Sequence, residues 1–306
     1  MAETFEQIRE RMQRELDETG RLDAPTWLRE HPAFAREIEA FVLDGLDQGP
    51  DGEWTEAEAR AWDEVMGEGI RDALRNAEMR SAEMRVGKRI AALPPAPAQL
   101  EGESNLKYAR ALIMAYVVAR LYAGDPWLSR VKIQKSLYLL EAALHPGVFM
   151  EFEVTLYGLS DSDLRYRDDD AEDRGTRSGW IIIDPTSDPA ERPDLLLPGP
   201  NAAVAVERAQ HYLRDPDLAG AFIDLLIPHS EWVLSAWQTV HKVVHDLVEN
   251  GATVVDVESV KAGILAEERW QRTKLPWDEF SDDAIEDALG HLERLRLIPQ
   301  DIVDYH

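Results

Sequence analysis

Apolar residues recur at helical spacing through most of this chain. Phe5, Ile8, Met12 and Leu16 share one face and predict a helix over residues 3–19. Pro25 opens a short second helix through Trp27 and Leu28, broken at His31-Pro32. Phe34, Ile38, Phe41 and Val42 line a third that ends near Gly45, and Gly49-Pro50-Asp51-Gly52 is a loop. Thr55 with Glu58 forms a capping box. It starts a long helix carrying Trp62, Val65, Met66, Ile70 and Leu74, then a polar, Arg-rich run to about Ile90. That second half has few large apolar groups, so it reads as exposed or awaiting a partner.

Leu93-Pro94-Pro95-Ala96-Pro97 is a linker. Beyond it, Leu106, Leu112, Ile113, Tyr116, Val117 and Leu121 define a buried helix. Ile133, Leu137, Leu140 and Leu144 define the next. After His145-Pro146-Gly147 the alternation from Phe149 to Tyr157 predicts a strand. A polar helix over 160–174 follows. Then Trp180–Ile183 and Leu195–Leu197 form a hairpin whose tip, DPTSDPAERPD, has no periodicity. A helix from Ala202 to Leu213 leads to Phe222, Leu225, Leu226 and Ile227 before Pro228. Trp232, Val233, Ala236, Trp237, Val240, Val243, Val244, Leu247 and Val248 mark the strongest helix, stopped by Asn250-Gly251. Val257, Val260 and Ile264 mark another, and Ser281 caps a last one over Ile285, Leu289, Leu292 and Leu295.

The predicted fold is therefore mainly α with a small β component. An N-terminal helical domain (1–92) leads through a Pro-rich linker (93–104) to a winged-helix-like module (105–200). A C-terminal helical module (201–306) with a second helix-turn-helix-like spacing follows. The order helix, helix, strand, helix, hairpin suggests a winged helix, and such modules bind rather than react.

Composition narrows the chemistry. The 306 residues contain no cysteine, which excludes disulfides, thiol nucleophiles and cysteine zinc sites. No apolar run approaches a membrane span, and MAETFEQIRE lacks signal-peptide features. These point to a cytoplasmic protein. The net charge of −26 repels nucleic acid and anionic membrane at long range. It reads either as a surface adaptation or as a match to a basic partner. Residues 105–143 form the one basic island, with Lys107, Arg110, Arg120, Arg130, Lys132 and Lys135 against Asp125 and Glu141.

Lys132-Ile133-Gln134-Lys135-Ser136-Leu137-Tyr138-Leu139-Leu140, followed by Leu156-Tyr157-Gly158, resembles a known pattern. It is the K-x-Q-K-L-x-Y-L … Y-G-P-Y-S-x-x-L pattern of the Panacea-type antitoxin domain and its YwgA-like relatives. Leu234 to Ile298 also looks like those relatives, so the resemblance covers roughly residues 105–300. Leu159 stands where the family has proline, and Ser160-Asp161 where it has Tyr-Ser. The resemblance implies a non-catalytic regulator or toxin-neutralising partner, with no cofactor.

Partner- or DNA-binding candidates are Arg130, Lys132, Lys135, Tyr157, Gly158, Arg165 and Arg167. The lysine-bearing helix either contacts phosphates or is a solvated face covering Ile133, Leu137 and Leu140. Arg165 and Arg167 sit among Asp161, Asp163, Asp168, Asp169, Asp170, Glu172 and Asp173, which oppose phosphate approach. Asp168-Asp169-Asp170 lacks an EF-hand frame and reads as a solvated acidic face. His241 and His245 have i, i+4 spacing, but Lys242 stands where a zinc protease has glutamate. Gly158-Leu159-Ser160-Asp161-Ser162 lacks the second glycine of a nucleophile elbow. Most of the nine tryptophans are expected in the core; a partner-binding loop is the alternative between Trp270 and Trp277. The leading expectation is a non-enzymatic cytoplasmic regulator that binds a protein partner, a basic toxin or regulator, as an antitoxin-like neutralising protein, with a homo-oligomer as a further option. The alternative is a winged-helix transcription factor.

Overall fold

The computed structural model describes residues 4–19, 27, 30–31, 34, 75–94, 102–145, 152–155, 158–160, 170–184, 195–271, 274, 278–300 and 302–304. Two compact units divide the chain, Met1–Ala82 and Glu83–His306. In the first, helix α1 (Phe5–Thr19) buries Ile8 and Met12, two of the four positions that predicted it. Trp27 Nε1 donates to Glu15 at 2.6 Å, and the Arg11 guanidinium lies 5.0 Å from the Trp27 ring centre. The helix expected from Thr55 begins outside the described residues.

The second unit is built around α2 (Glu103–Tyr122). Every position from Ala109 to Val118 is buried, Arg110 included, so this helix needs neighbours all round. They are α3 (Arg130–Leu144), α4 (Ala171–Arg177), α5 (Ala202–Ala209) and α6 (Pro216–Leu226), together with a strand. At the rim Arg120 forms a two-pronged pair with Asp224 of α6, at 2.7 and 2.6 Å. The longest helix of the C-terminal half, α7 (Glu231–Glu249), packs on α3. It also carries α8 (Val257–Ala266) and α10 (Asp282–Arg294), while the single turn α9 (Glu268–Gln271) packs on α8. One apolar core runs through all of this.

Helix starts follow side-chain chemistry. Ser129, Asp170, Asp215, Ser230 and Ser281 each accept a backbone N–H of the first turn. Asp256 and Ser259 form a reciprocal capping box. Gly251, at φ +91°, ends α7 in the left-handed region that favours glycine.

The strands are few and local. Strand β1 (Glu153–Thr155) pairs antiparallel with β2 (Gly158–Ser160), with Val154 opposite Leu159. Strand β3 (Ile181–Ile183) pairs with β4 (Leu196–Pro198), with Ile182 opposite Leu197. The second hairpin is the one expected from the sequence, its tip lying outside the described residues. The first is a correction. Among the described residues β1 holds three positions of the strand expected to end at Tyr157, Ser160 falls in β2 rather than in a helix, and α4 begins at Ala171; residues 161–169 lie outside the described residues. The two hairpins form separate sheets.

Two boundaries also differ from expectation. From Glu83 on, the Arg-rich stretch before the linker belongs to the second unit: Glu83 is fully buried and Val86 nearly so. A Cβ on Gly87 would lie 2.0 Å from the Arg294 carbonyl oxygen, so only glycine lets helical residues 83–91 approach α10 this closely. The modules expected at 105–200 and 201–306 share one core, because α2 packs on α5 and α3 packs on α7.

A similar close approach joins α8 to α7, where a Cβ on Gly263 would meet Val243 Cγ1 at 2.4 Å. Gly263→Ala should lower unfolding free energy by ~1–3 kcal/mol through overpacking. Its cost should shrink in a Val243→Ala background, read as a coupling in a denaturant double-mutant cycle.

Candidate functional site

The family-like motif lies on α3, where Ser129 fixes the start of the helix and Ile133, Leu137 and Leu140 enter the core. Its cations do not form a solvated face. Lys132 is 5% exposed, and its Nζ donates to Asp125 at 2.7 Å and to the Ile227 carbonyl at 2.8 Å. Lys135 is 2% exposed and donates to the Leu159 carbonyl at 3.1 Å. Arg130 and Glu172 form a two-pronged pair at 2.8 and 2.5 Å, both side chains about nine-tenths buried. The expectation that Arg130, Lys132 and Lys135 lie along an open helix face is thus corrected. Burial of an ammonium is tolerated here because each one meets oxygen inside the fold.

The β1–β2 hairpin is held at several points. Gln238 of α7, fully buried, accepts from the Leu159 N–H at 3.3 Å and donates to the Leu159 carbonyl at 3.0 Å. It thereby satisfies one backbone unit from both sides, and the same carbonyl receives Lys135. On the other strand Trp270 Nε1 donates to the Thr155 carbonyl at 3.0 Å, and Arg269 donates to the Val154 carbonyl. Gly158 lies opposite Thr155 at the start of β2. Tyr157, Arg165 and Arg167 fall outside the described residues.

A second lysine, not singled out in the sequence, belongs to this seat. Lys274 is fully buried, donates to Ser235 Oγ at 2.8 Å and places its Nζ 5.2 Å from the Phe280 ring centre. Burial pushes the Lys274 amine down to about 8. Burial, and then the like charge of Lys274, push Lys135 down to about 7. The only sequence hint to Lys274 was its place between Trp270 and Trp277, and a Lys in a polar loop gives no burial signal of its own.

The histidine pair also separates. His241 Nδ1 bonds the Tyr138 hydroxyl at 2.7 Å, and its ring is further bonded to the Leu297 backbone. Burial, then the charge of His245, push His241 down to about 4, while burial pushes the Tyr138 hydroxyl up. His245 is exposed; with Asp246 and Glu249 it places ligand-type atoms within 4.8 Å of one another. Lys242 pairs with Asp246, so this cluster carries its own cation.

The acidic run is only partly a solvated face. Asp170 and Glu172 are 7% and 8% exposed, the first capping α4 and the second holding Arg130. Asp168 and Asp169 lie outside the described residues. Ser160 sits in strand β2 opposite Glu153, not on a strand-to-helix turn. Trp180, Trp237 and Trp270 are buried, whereas Trp127 is 64% and Trp232 41% exposed. These two flank the hydrogen bond from Ser129 Oγ to Glu231, at the starts of α3 and α7. Trp54, Trp62 and Trp277 lie outside the described residues.

No family model matches the chain, and no curated protein matches it. Among the described residues no helix is long and apolar enough to cross a membrane.

Lys135 binds its proton more weakly folded than unfolded. Between its folded value, about 7, and its ordinary value of 10.5 the unfolded chain therefore holds more protons, and stability rises with pH. Lys135→Met should flatten this rise, seen in urea midpoints from pH 7 to 9.

Proposed function

We propose that this protein is a non-enzymatic regulator that acts by docking onto a protein partner, in the manner of an antitoxin. One observation carries the reading. Arg130, Lys132, Lys135 and His241, the side chains best suited to chemistry or phosphate contact, are bonded to partners within the fold. Two large aromatic groups, Trp127 and Trp232, are 64% and 41% exposed near the starts of α3 and α7. Exposed tryptophans are the side chains that most often anchor protein interfaces. The charge of −26 favours a basic partner by speeding encounter.

In this reading residues 105–200 serve as a winged-helix-like scaffold, with β3–β4 as its wing and the cytoplasm as its compartment. The resemblance of Lys132–Leu140 and Leu156–Gly158 to the antitoxin domain supports it. Recognition of duplex DNA is disfavoured, because a lysine bonded to Asp125 or to a strand carbonyl is not presented to phosphate.

Affinity capture from the native host followed by mass spectrometry should return a protein of net positive charge. Its association with the purified chain should slow about tenfold or more between about 50 and 500 mM salt. Trp127→Ala with Trp232→Ala should weaken the complex by ~2 kcal/mol or more. A tight duplex DNA complex formed by the purified chain, or turnover of a small substrate, would overturn the reading.

A further inference from the structure

The turn between α2 and α3 (residues 123–129) is tied to the turn between α6 and α7 (residues 227–230). The buried Nζ of Lys132 donates to Asp125 in the first and to the Ile227 carbonyl in the second, at 2.7 and 2.8 Å. A Cβ on Gly124 would lie 2.5 Å from Ile227 Cγ2, so the two turns touch there. Ser129 Oγ, at the start of α3, donates to the Glu231 carboxylate at the start of α7. The Trp127 N–H donates to Asp125 Oδ1 at 3.0 Å, which fixes the backbone carrying the first indole. Trp232 follows Glu231 in the first turn of α7. Two exposed indoles therefore stand on backbone that the fold has already positioned, and little ordering is left to a binding event.

The charges around them are matched in all but one place. Asp125 is held by Lys132, Glu172 by Arg130, and Asp224 by both prongs of Arg120. Glu231 meets the Ser129 hydroxyl and pairs with no cation among the described residues. Arg120, the exposed guanidinium of the neighbouring helix end, is taken up by Asp224 and so leaves Glu231 without a neutralising charge. A half-buried carboxylate thus lies between two exposed aromatic rings, directly before one in sequence and bonded two residues beyond the other.

That combination suits one kind of side chain. The face of an indole attracts a cation, and a carboxylate accepts charge-assisted hydrogen bonds. A guanidinium meets both demands at once, because it is planar, weakly hydrated, stacks on rings and forks onto carboxylates. A lysine ammonium is a strongly hydrated point charge and does so less well. We propose that Trp127, Trp232 and Glu231 form the seat for an arginine side chain of the protein partner. The proposal rests on the docking reading above and adds the chemistry of the residue that is anchored.

The probe is the peptide acetyl-Gly-Arg-Gly-amide, added to the nitrogen-15-labelled full chain. The readout is the indole N–H resonances, those of Trp127 and Trp232 being assigned with the single Trp127→Phe and Trp232→Phe variants. Both should shift and saturate, while the buried Trp180, Trp237 and Trp270 signals stay in place. The same peptide with citrulline, which keeps the shape and removes the charge, should bind about fivefold or more weakly, and so should the lysine peptide. Glu231→Gln should weaken arginine binding about fivefold or more; unmoved signals from the three buried indoles show that this variant keeps the fold. Absence of a shift, citrulline or lysine peptides that bind as well as arginine, or wild-type binding by Glu231→Gln overturns the inference. The docking reading fails separately. If the double Trp127→Ala, Trp232→Ala variant loses the partner complex but the arginine peptide moves neither indole, the seat falls alone. If the peptide binds as expected but the double variant holds the partner undiminished, the docking reading falls and a site for arginine remains.

Discussion

A charged or polar group sealed inside a protein must find partners there, and the seam between α3 and α7 is arranged around that constraint. Leu159 presents one backbone unit to the seam, and Gln238 and Lys135 meet it from the two helices. Replacing Gln238 would leave the Leu159 N–H without its side-chain acceptor, which costs about 1–3 kcal/mol, whereas the carbonyl is received by both side chains. Because Trp270 and Arg269 hold the other strand, the β1–β2 hairpin is fixed to three helices at once. A three-residue strand pair is marginal alone; here its position is set by side chains from outside the sheet. The same seam continues through Tyr138 and His241, so most of what joins α3 to α7 apart from apolar contact is a set of matched donors and acceptors.

Much of the helical frame is legible from spacing alone. α1, α2, α3, α7 and α10 all lie where apolar periodicity puts them, and Ser129, Ser281 and Asn250-Gly251 mark boundaries by local chemistry. What spacing does not reveal is tertiary. Lys132 and Lys135 look like a solvated face because a lysine's charge argues for water, and only the oxygens of Asp125, Ile227 and Leu159 make burial affordable. Two of those three are backbone groups, which leave no mark in a sequence. Residues 83–91 look unpartnered for a related reason. Their packing depends on Gly87, whose contribution is the side chain it lacks, and on Glu83, whose partners lie some two hundred residues away. Strand β2 is invisible because its short, polar surroundings resemble a loop, while pairing with β1 and capture by Gln238 supply the order.

The two kinds of polar cluster differ in consequence. Around Leu159 every named donor has an acceptor, which specifies one arrangement of helices and resists change. Around Trp237, whose indole meets the rings of His229 and His291, the His229 Nε2 has none among the described residues, so that cluster stores a small penalty. Glu83 joins it through His291, in a segment held by the Gly87 contact and the surface pair of Arg89 with Asp215. Local stability is uneven in folded proteins, and the segments that open first combine few buried apolar groups with exposed backbone. The 83–93 stretch contributes Val86, Ile90 and Leu93 to the core, far less than α2 does. The difference places firmness at the α3–α7 seam.

Acidification acts on this molecule in two opposing ways. The chain carries a net charge of −26 near neutrality, and approach to its isoelectric point near 4.6 removes the self-repulsion of that surface. Relief of that kind is spread over many exposed groups and is reduced by salt. The bases held neutral inside act locally: His229 and His241 are both displaced to about 4, and each pH unit below 6.5 at which one stays unprotonated favours the open chain by about 1.4 kcal/mol. The surface term is delocalised and screened, whereas the interior term falls on two named side chains. The interior term therefore dominates wherever a histidine can reach water by local opening. His241 is bonded to the Tyr138 hydroxyl inside the α3–α7 seam. His229 sits outside that seam, in the turn between α6 and α7, with its Nε2 unpartnered among the described residues.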